Sequence, residues 1–338
     1  MERPKILAGL ALSAQGQTPI LGQEFLGSKL RIGVLSLSSN KLSILPSYYS
    51  EKTIMKKHIL CSLLALVSVH SVSASLEQSL SKIEQEIKGQ VGVAVIDTQS
   101  LNQWSYNGNQ RFPMMSSFKT LACAKLLYDV EQKKLTLNQK VDVPESGLVN
   151  WNPITENFVG GKMSLQSVCA ATMLMSDNYA ANLALQQIGG PTGLTAFLRE
   201  IGDQKTRLDR YEPELNYVEK GAENDTTTPI AITQTVKQLL TGDVLSTSSK
   251  TQLQFWMTNN MFSDSLARAV LPQGWLIADR SGGGVKGSRA LTAMIWKSDR
   301  KPLFIGIFIA NSSLSTLPEI NQVVADISQL IFAQYGIE

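Results

Sequence analysis

Residues 112–127 read FPMMSSFKTLACAKLL, which sets Ser116 three places before Lys119 at the start of an amphipathic helix. Positions three apart share a helix face, so the lysine projects toward the serine. The spacing alone decides nothing, because Ser38 and Lys41, Ser79 and Lys82, and Ser298 and Lys301 repeat it. Its bland reading is a surface lysine beside a capping serine. The surrounding chain has to discriminate.

Outward from this stretch the periodicity sorts into three regions. Upstream, SLEQSLSKIEQEIKG (75–89) places Leu76, Leu80, Ile83 and Ile87 at helical spacing and ends on a glycine. QVGVAVIDTQ (90–99) and QWSYNGNQRF (103–112) then read as two strands with a turn over 99–102. Downstream, residues 116–257 are helix-rich: TLACAKLLYDVEQ, LQSVCAATMLM, YAANLALQQIGG, GLTAFLREIG and IAITQTVKQLLTG carry three- and four-residue apolar spacing with glycine breaks. Strand patterns return in GWLIADRSGGG, RALTAMIWKS and PLFIGIFIANS, and a helix over 317–335 closes the chain. Two early and three late strands flanked by terminal helices predict an α+β fold. It has one five-stranded antiparallel sheet into which an all-α subdomain of about 116–257 is inserted. Residues 207–229, RLDRYEPELNYVEKGAENDTTTP, show neither period and form a long charged loop of the kind that usually carries function.

The amino end is of another character. From Met55, MKKHILCSLLALVSVHSVSAS has a basic zone, an apolar zone from Ile59 to Val69, and a small-residue cleavage site at Val72-Ser73-Ala74. This is the pattern of a secretory signal, and the apolar zone is about half of the roughly 20 residues a spanning helix needs. The native start is therefore expected at Met55, with 1–54 an upstream extension, 55–74 a signal peptide and 75–338 a single exported domain. Periplasmic localisation follows from that reading, with no stable membrane association after cleavage.

Removing the leader changes the charge. Residues 1–74 hold eight of the 31 Lys and Arg and three of the 28 Asp and Glu, which leaves 23 cations against 25 anions and a net charge of −2. No clustered basic face remains, so nucleic acid is excluded as a partner. Of three cysteines, Cys61 is in the leader, and Cys123 and Cys169 stand as one disulfide or as two buried free thiols. Both histidines, His58 and His70, are in the leader. The exported part therefore has no imidazole for a Ser-His-Asp triad, a Cys-His pair or a zinc site. A serine nucleophile here needs a lysine or a carboxylate to take its proton.

Three further features join Ser116 and Lys119: Ser-Asp-Asn at 176–178, Glu-Pro-Glu-Leu-Asn at 212–216, and Arg-Ser-Gly at 280–282 on the third strand. In this order the set resembles the class A serine β-lactamases, over essentially all of 75–338. The resemblance implies the β-lactamase/transpeptidase-like fold, no metal or cofactor, and a small-molecule β-lactam as substrate. A monomer is expected. It also implies a Cys123–Cys169 disulfide.

The chemistry explains the residue types. Opening a β-lactam is acyl transfer: a nucleophile attacks the amide carbon, an oxyanion develops, and the ring nitrogen must gain a proton. The resemblance assigns Ser116 as nucleophile and Gly283, with the Ser116 N–H, to the oxyanion. Glu212, held with Asn216 around one water, takes the deacylation step, and either Lys119 or Glu212 is the acylation base. Ser176 relays a proton toward the ring nitrogen, Asn178 contacts the substrate's side-chain amide, and Arg210 pairs with Asp225 at the base of the 207–229 loop. Arg280, Ser281, Gly282 and Arg289 are expected to receive the substrate carboxylate, for which a guanidinium fork is suited. Trp151 at the rim is either a stacking platform or a plain surface aromatic.

The strand motif departs from the family's usual Lys-Thr-Gly. Arg280 there resembles the carbenicillin-hydrolysing subgroup, whose substrates carry a second carboxylate. Arg280→Lys is accordingly expected to lower the preference for carbenicillin over benzylpenicillin. The alternatives to a penicillinase are a penicillin-binding D-alanyl-D-alanine peptidase and a covalent β-lactam sensor domain. The first lacks the Glu212 loop and the second needs a membrane connection.

Overall fold

Hydrophobic residues on both faces of the central strands determine the architecture. In the computed structural model, which describes residues 76–338, the strand β1 (Gln90–Asp97) is buried from Val91 to Asp97 without a break. A strand buried on both faces must lie between two layers. It pairs on one side with β2 (Gln103–Tyr106) and on the other with the late strand Arg300–Ala310, in register from Gln90 opposite Ala310 to Asp97 opposite Leu303. Counting the short two-stranded pieces in chain order, the described strands continue as β3 (Phe112–Pro113), β4 (Lys140–Asp142), β5 (Lys162–Ser164), β6 (Thr226–Thr227), β7 (Leu276–Gly283), β8 (Arg289–Lys297) and β9 (Arg300–Ala310). The main sheet is antiparallel with order β2-β1-β9-β8-β7.

One face packs on the terminal helices. Val91, Val93 and Val95 of β1, Leu291 and Ile295 of β8 and Ile305, Ile307 and Ile309 of β9 share a core with Leu76, Leu80, Ile320, Val324, Ile327 and Ile331. The last four lie on α8, Leu317–Gln334, and the first two on α1, residues 76–86. Thr316 and Glu319 cap the start of α8 with a reciprocal capping box. Each such aliphatic side chain contributes about 1.5–3 kcal/mol when fully buried.

The other face carries the helical lobe, which comprises α2 (Phe118–Glu131), α3 (Leu165–Leu174), α4 (Asn178–Gln187), α5 (Gly190–Glu200), α6 (Pro229–Thr241) and α7 (Thr247–Thr258). The apolar spacings of the sequence recover all of these but α7, whose buried residues are only Ser249, Leu253, Trp256 and Met257. Helix α6 lies so close to the sheet that a Cβ on Gly306 would fall 2.3 Å from Thr233 Oγ1. The disulfide of the lobe joins Cys123 on α2 to Cys169 on α3, with Cα atoms 5.7 Å apart and both side chains buried. Expectations for 1–75, which cover the upstream extension and signal, lie outside the described residues.

Candidate active site

The site forms where the sheet edge meets the helical lobe. Ser116 sits in a 3-10 turn, Met115–Ser117, that leads directly into α2. Strand β7 passes beneath it at Gly282, where any Cβ would lie 2.9 Å from Ser116 N. Only glycine permits that approach. The residue before the serine, Met115, is fully buried and holds φ at +49°, a left-handed conformation that costs a non-glycine residue roughly 1–3 kcal/mol. Trp151 at +66° and Ser176 at +54° do the same on the opposite wall.

One turn of α2 beyond Ser116, Lys119 is completely buried. Its Nζ donates to Asn178 Oδ1 at 2.6 Å, to the Ser176 carbonyl at 2.9 Å and to Ser176 Oγ at 3.3 Å. Three N–H bonds thus meet three acceptors. Glu212 Oε1 lies 3.2 Å away as an ion-pair partner but outside hydrogen-bond geometry. Burial pushes the Lys119 amine down to about 8, against the opposing pull of Glu212.

Ser176 connects the lysine to the nucleophile. Its Oγ accepts from Lys119 and from Arg280 Nη2 at 2.5 Å, and lies 3.3 Å from Ser116 Oγ. With two donors aimed at it, its own hydroxyl proton is directed to Ser116 Oγ. Asp177, between Ser176 and Asn178, serves the structure. Its carboxylate caps α4 through Ala180 N and holds the segment carrying Trp151 through the N–H groups of Ile154 and Thr155.

Glu212 reaches the site from the 207–229 loop, which packs on the lobe. Asn182 on α4 holds its backbone through two hydrogen bonds of 2.9 Å, and Asn216 Nδ2 donates to Glu212 Oε2 at 2.6 Å. Glu212 Oε1 and Asn216 Oδ1 remain as two buried acceptors with no hydrogen-bond donor among the protein's atoms. The two O–H bonds of one water satisfy such a pair. At the loop's neck Arg210 Nε meets Asp225 Oδ2 at 2.6 Å, and Asp225 Oδ1 accepts the Asp209 and Arg210 N–H groups. Asp225 is fully buried.

A cavity of about 650 Å³ opens over this machinery, lined by Ser116, Ser176, Asn178, Asn216, Ser281, Gly283 and Arg289, with Trp151 on the rim. Trp151 is 52% exposed, and Phe262 meets its ring edge-on at 5.5 Å. Two residues stand differently from the sequence expectation. Arg280 is buried beneath the cavity, not in its wall, because its guanidinium donates inward to the carbonyls of Ser116 (3.1 Å) and Met173 (3.0 Å) as well as to Ser176. Its fork is therefore occupied and not offered to a ligand carboxylate. Asn178 borders the cavity, but its amide is engaged by Lys119 on one side and by Asn150 on the other.

Arg289 does face the cavity and is 6% exposed. Its Nε donates to Asn321 Oδ1 at 2.9 Å, and burial pushes its guanidinium down to about 10. Among the described residues no carboxylate lies within ion-pair distance of Arg280 or Arg289. The sequence motifs do not mark Asn150, Tyr217, Phe262, Ser265 or Asn321, which also border the cavity. They arrive by tertiary packing from separate elements, and no spacing signals them.

Comparison with known proteins agrees with this geometry. The beta-lactamase enzyme family model matches residues 75–335. The chain is 46% identical over 283 residues to Beta-lactamase CARB-3 of Pseudomonas aeruginosa, covering 82% of this chain and 98% of that one. It is 45% identical over 283 residues to Beta-lactamase PSE-4 of the same organism, with the same coverage. Among solved structures, the chromosome-encoded β-lactamase of Vibrio parahaemolyticus superposes with a TM-score of 0.76 at 48% identity, covering 78% of this chain and 100% of that chain.

Proposed function

The chain belongs to the beta-lactamase enzyme family, in class A, and hydrolyses the β-lactam amide; on that premise we propose how its own residues divide the reaction. The observation that carries the assignment is the continuous contact Glu212–Lys119–Ser176–Ser116, closed and buried except at the serine end.

In acylation Ser116 Oγ attacks the lactam carbonyl carbon while the oxygen gathers charge against the N–H groups of Ser116 and Gly283. The satisfied ammonium pattern of Lys119 favours Glu212, through the water it shares with Asn216, as acceptor of the Ser116 proton. The C–N bond then breaks, and the ring nitrogen takes the hydroxyl proton of Ser176, which Lys119 replaces. Glu212 then returns the Ser116 proton to Lys119, 3.2 Å away, which restores the carboxylate and the ammonium. In deacylation the same water attacks the ester carbon and gives its proton to Glu212, which passes it to the departing Ser116 Oγ. The C–Oγ bond breaks, Ser116 regains a proton, and the ring-opened acid leaves.

Arg289 receives the substrate carboxylate, since it is a desolvated cation facing the cavity with no carboxylate of the described residues within ion-pair distance. Arg280 holds the Ser176 hydroxyl and contributes charge from below. Penicillins, with carbenicillin among them, are the substrate class, because two buried cations without carboxylate partners raise the potential that a dianion experiences. The enzyme works as a periplasmic monomer exported by the 55–74 signal, protecting its host from β-lactam antibiotics.

Mixing with nitrocefin tests the reading. Repeated rapid hydrolysis is expected, whereas a single stoichiometric burst selects a peptidase or a sensor. The paired acceptors of Glu212 and Asn216 speak against both alternatives, because the peptidase lacks the loop that carries them and the sensor keeps its acyl group.

A further inference from the structure

We propose that Arg111 is a positioning residue for the second half of the reaction, holding the returning limb of the 207–229 loop so that Asn216 stays aligned with Glu212. The proposal rests on the assignment of Ser116 to acylation and Glu212 to deacylation given above.

Arg111 stands five residues before Ser116, immediately ahead of β3. Its Nη1 donates at 3.0 Å to the carbonyl of Lys205, on the limb entering the loop, and at 3.0 Å to Thr226 Oγ1, on the limb leaving it. Its Nε lies 3.5 Å from Glu223 Oε1, and Glu223 also meets Arg207 at 3.8 Å. One planar guanidinium therefore ties three segments, a geometry that a lysine ammonium has the wrong shape to reproduce. The backbone reinforces the join: Phe112 pairs with Thr227, Pro113 with Thr226, and Met114 N–H donates to the Asp225 carbonyl. The strand that leads into the nucleophile is thus the strand that closes the loop.

The two halves of the water site are anchored unequally. Glu212 is fixed to α4 through Asn182. The Asn216 side chain donates only to Glu212 and to the Pro213 carbonyl, both within the loop. The position of Asn216 consequently depends on the limb that follows it, which reaches the body of the protein at Asp225, at Arg111 and, through an exposed ion pair, where Glu219 meets Lys286 at 2.9 Å. Because the side chains of Arg111 and Glu223 are 26% and 60% exposed, their pair adds little to global stability, and its effect should appear in kinetics instead.

The test compares Arg111→Ala, Arg111→Lys and Glu223→Gln with the unaltered enzyme on benzylpenicillin, measuring kcat, KM, the rate constants of acylation and deacylation by quenched flow, and the melting temperature. Asn216 aims the water for attack on the ester, a demand that relaying the Ser116 proton does not make, so deacylation slows far more than acylation and kcat and KM fall together. In Arg111→Ala a fall of ~10-fold in both is expected, with kcat/KM held within about twofold and acyl-enzyme visible by mass spectrometry. Arg111→Lys and Glu223→Gln should fall between. A drop in kcat at constant KM with fewer titratable serines, a drop in kcat/KM, or unchanged constants overturns the proposal. Glu212→Ala runs alongside: if it accumulates acyl-enzyme and Arg111→Ala does not, only this inference fails. If neither does, the assignment of Glu212 fails as well.

Discussion

Arg280 donates to Ser176 Oγ at 2.5 Å from a fully buried position, so the cation of the strand motif acts on the proton relay from beneath the cavity. Arg280→Gln removes a charge-assisted hydrogen bond worth ~1.5–3 kcal/mol, which corresponds to a loss of about 10- to 100-fold in kcat/KM for every penicillin. The same variant should lower the carbenicillin to benzylpenicillin ratio several-fold, since the charge that a dianion senses is gone. Steady-state kinetics on the two substrates checks both, and an equal loss on each would show that Arg280 serves the relay alone.

Glu212→Ala is expected to slow both half-reactions and deacylation the more, by ~10²–10⁴-fold, the usual worth of a positioned general base, so that acyl-enzyme accumulates. Mass spectrometry of a quenched mixture should show nearly all protein carrying one penicilloyl group. Unlabelled protein would count against Glu212 as the deacylating base.

The Lys119 amine gives a pH prediction. It is held down to about 8, chiefly by burial, and is required as an ammonium, so kcat/KM should fall as pH rises through about 8. Stability should move the other way. Between about 8 and 10.5 the native state has released this proton while the unfolded chain retains it, so this group raises stability with pH in that window. A kcat/KM that climbs through pH 8 instead would identify neutral Lys119 as the acylation base.

Replacing Cys123 and Cys169 together by alanine releases a 46-residue separation. The loop-entropy relation gives a loss of about 3–4 kcal/mol, or roughly 10 °C in melting temperature for a domain of this size. The bridge lies between α2 and α3 away from the substrate, so kcat/KM at 25 °C should change little. Calorimetry and a penicillin assay on the same sample decide.

The fold is legible in the sequence because amphipathic periods survive in short windows. The three late strands and the closing helix read correctly from alternation and from Ile320, Val324, Ile327 and Ile331. Helix α7 is not readable, since it offers few buried positions and packs through Trp256 and Met257. The two-residue strands β3 and β6 are below any period, yet they join the nucleophile to the loop. Residue types and order point to Ser116, Lys119, Ser176, Glu212 and Asn216. The direction of a side chain is not in the motif: Arg280 and Arg289 look equally fit for a carboxylate in sequence, and only packing against Met173 and Ser116 turns the first inward.

The left-handed backbone at Met115, Trp151 and Ser176 has an evolutionary side. At roughly 1–3 kcal/mol each, three such positions around one pocket take a large part of a typical domain's 5–15 kcal/mol margin. A lineage acquiring activity toward bulkier antibiotics through further destabilising changes would reach its folding threshold early. Compensating substitutions in the sheet core, far from the drug, should then accompany each broadening of spectrum.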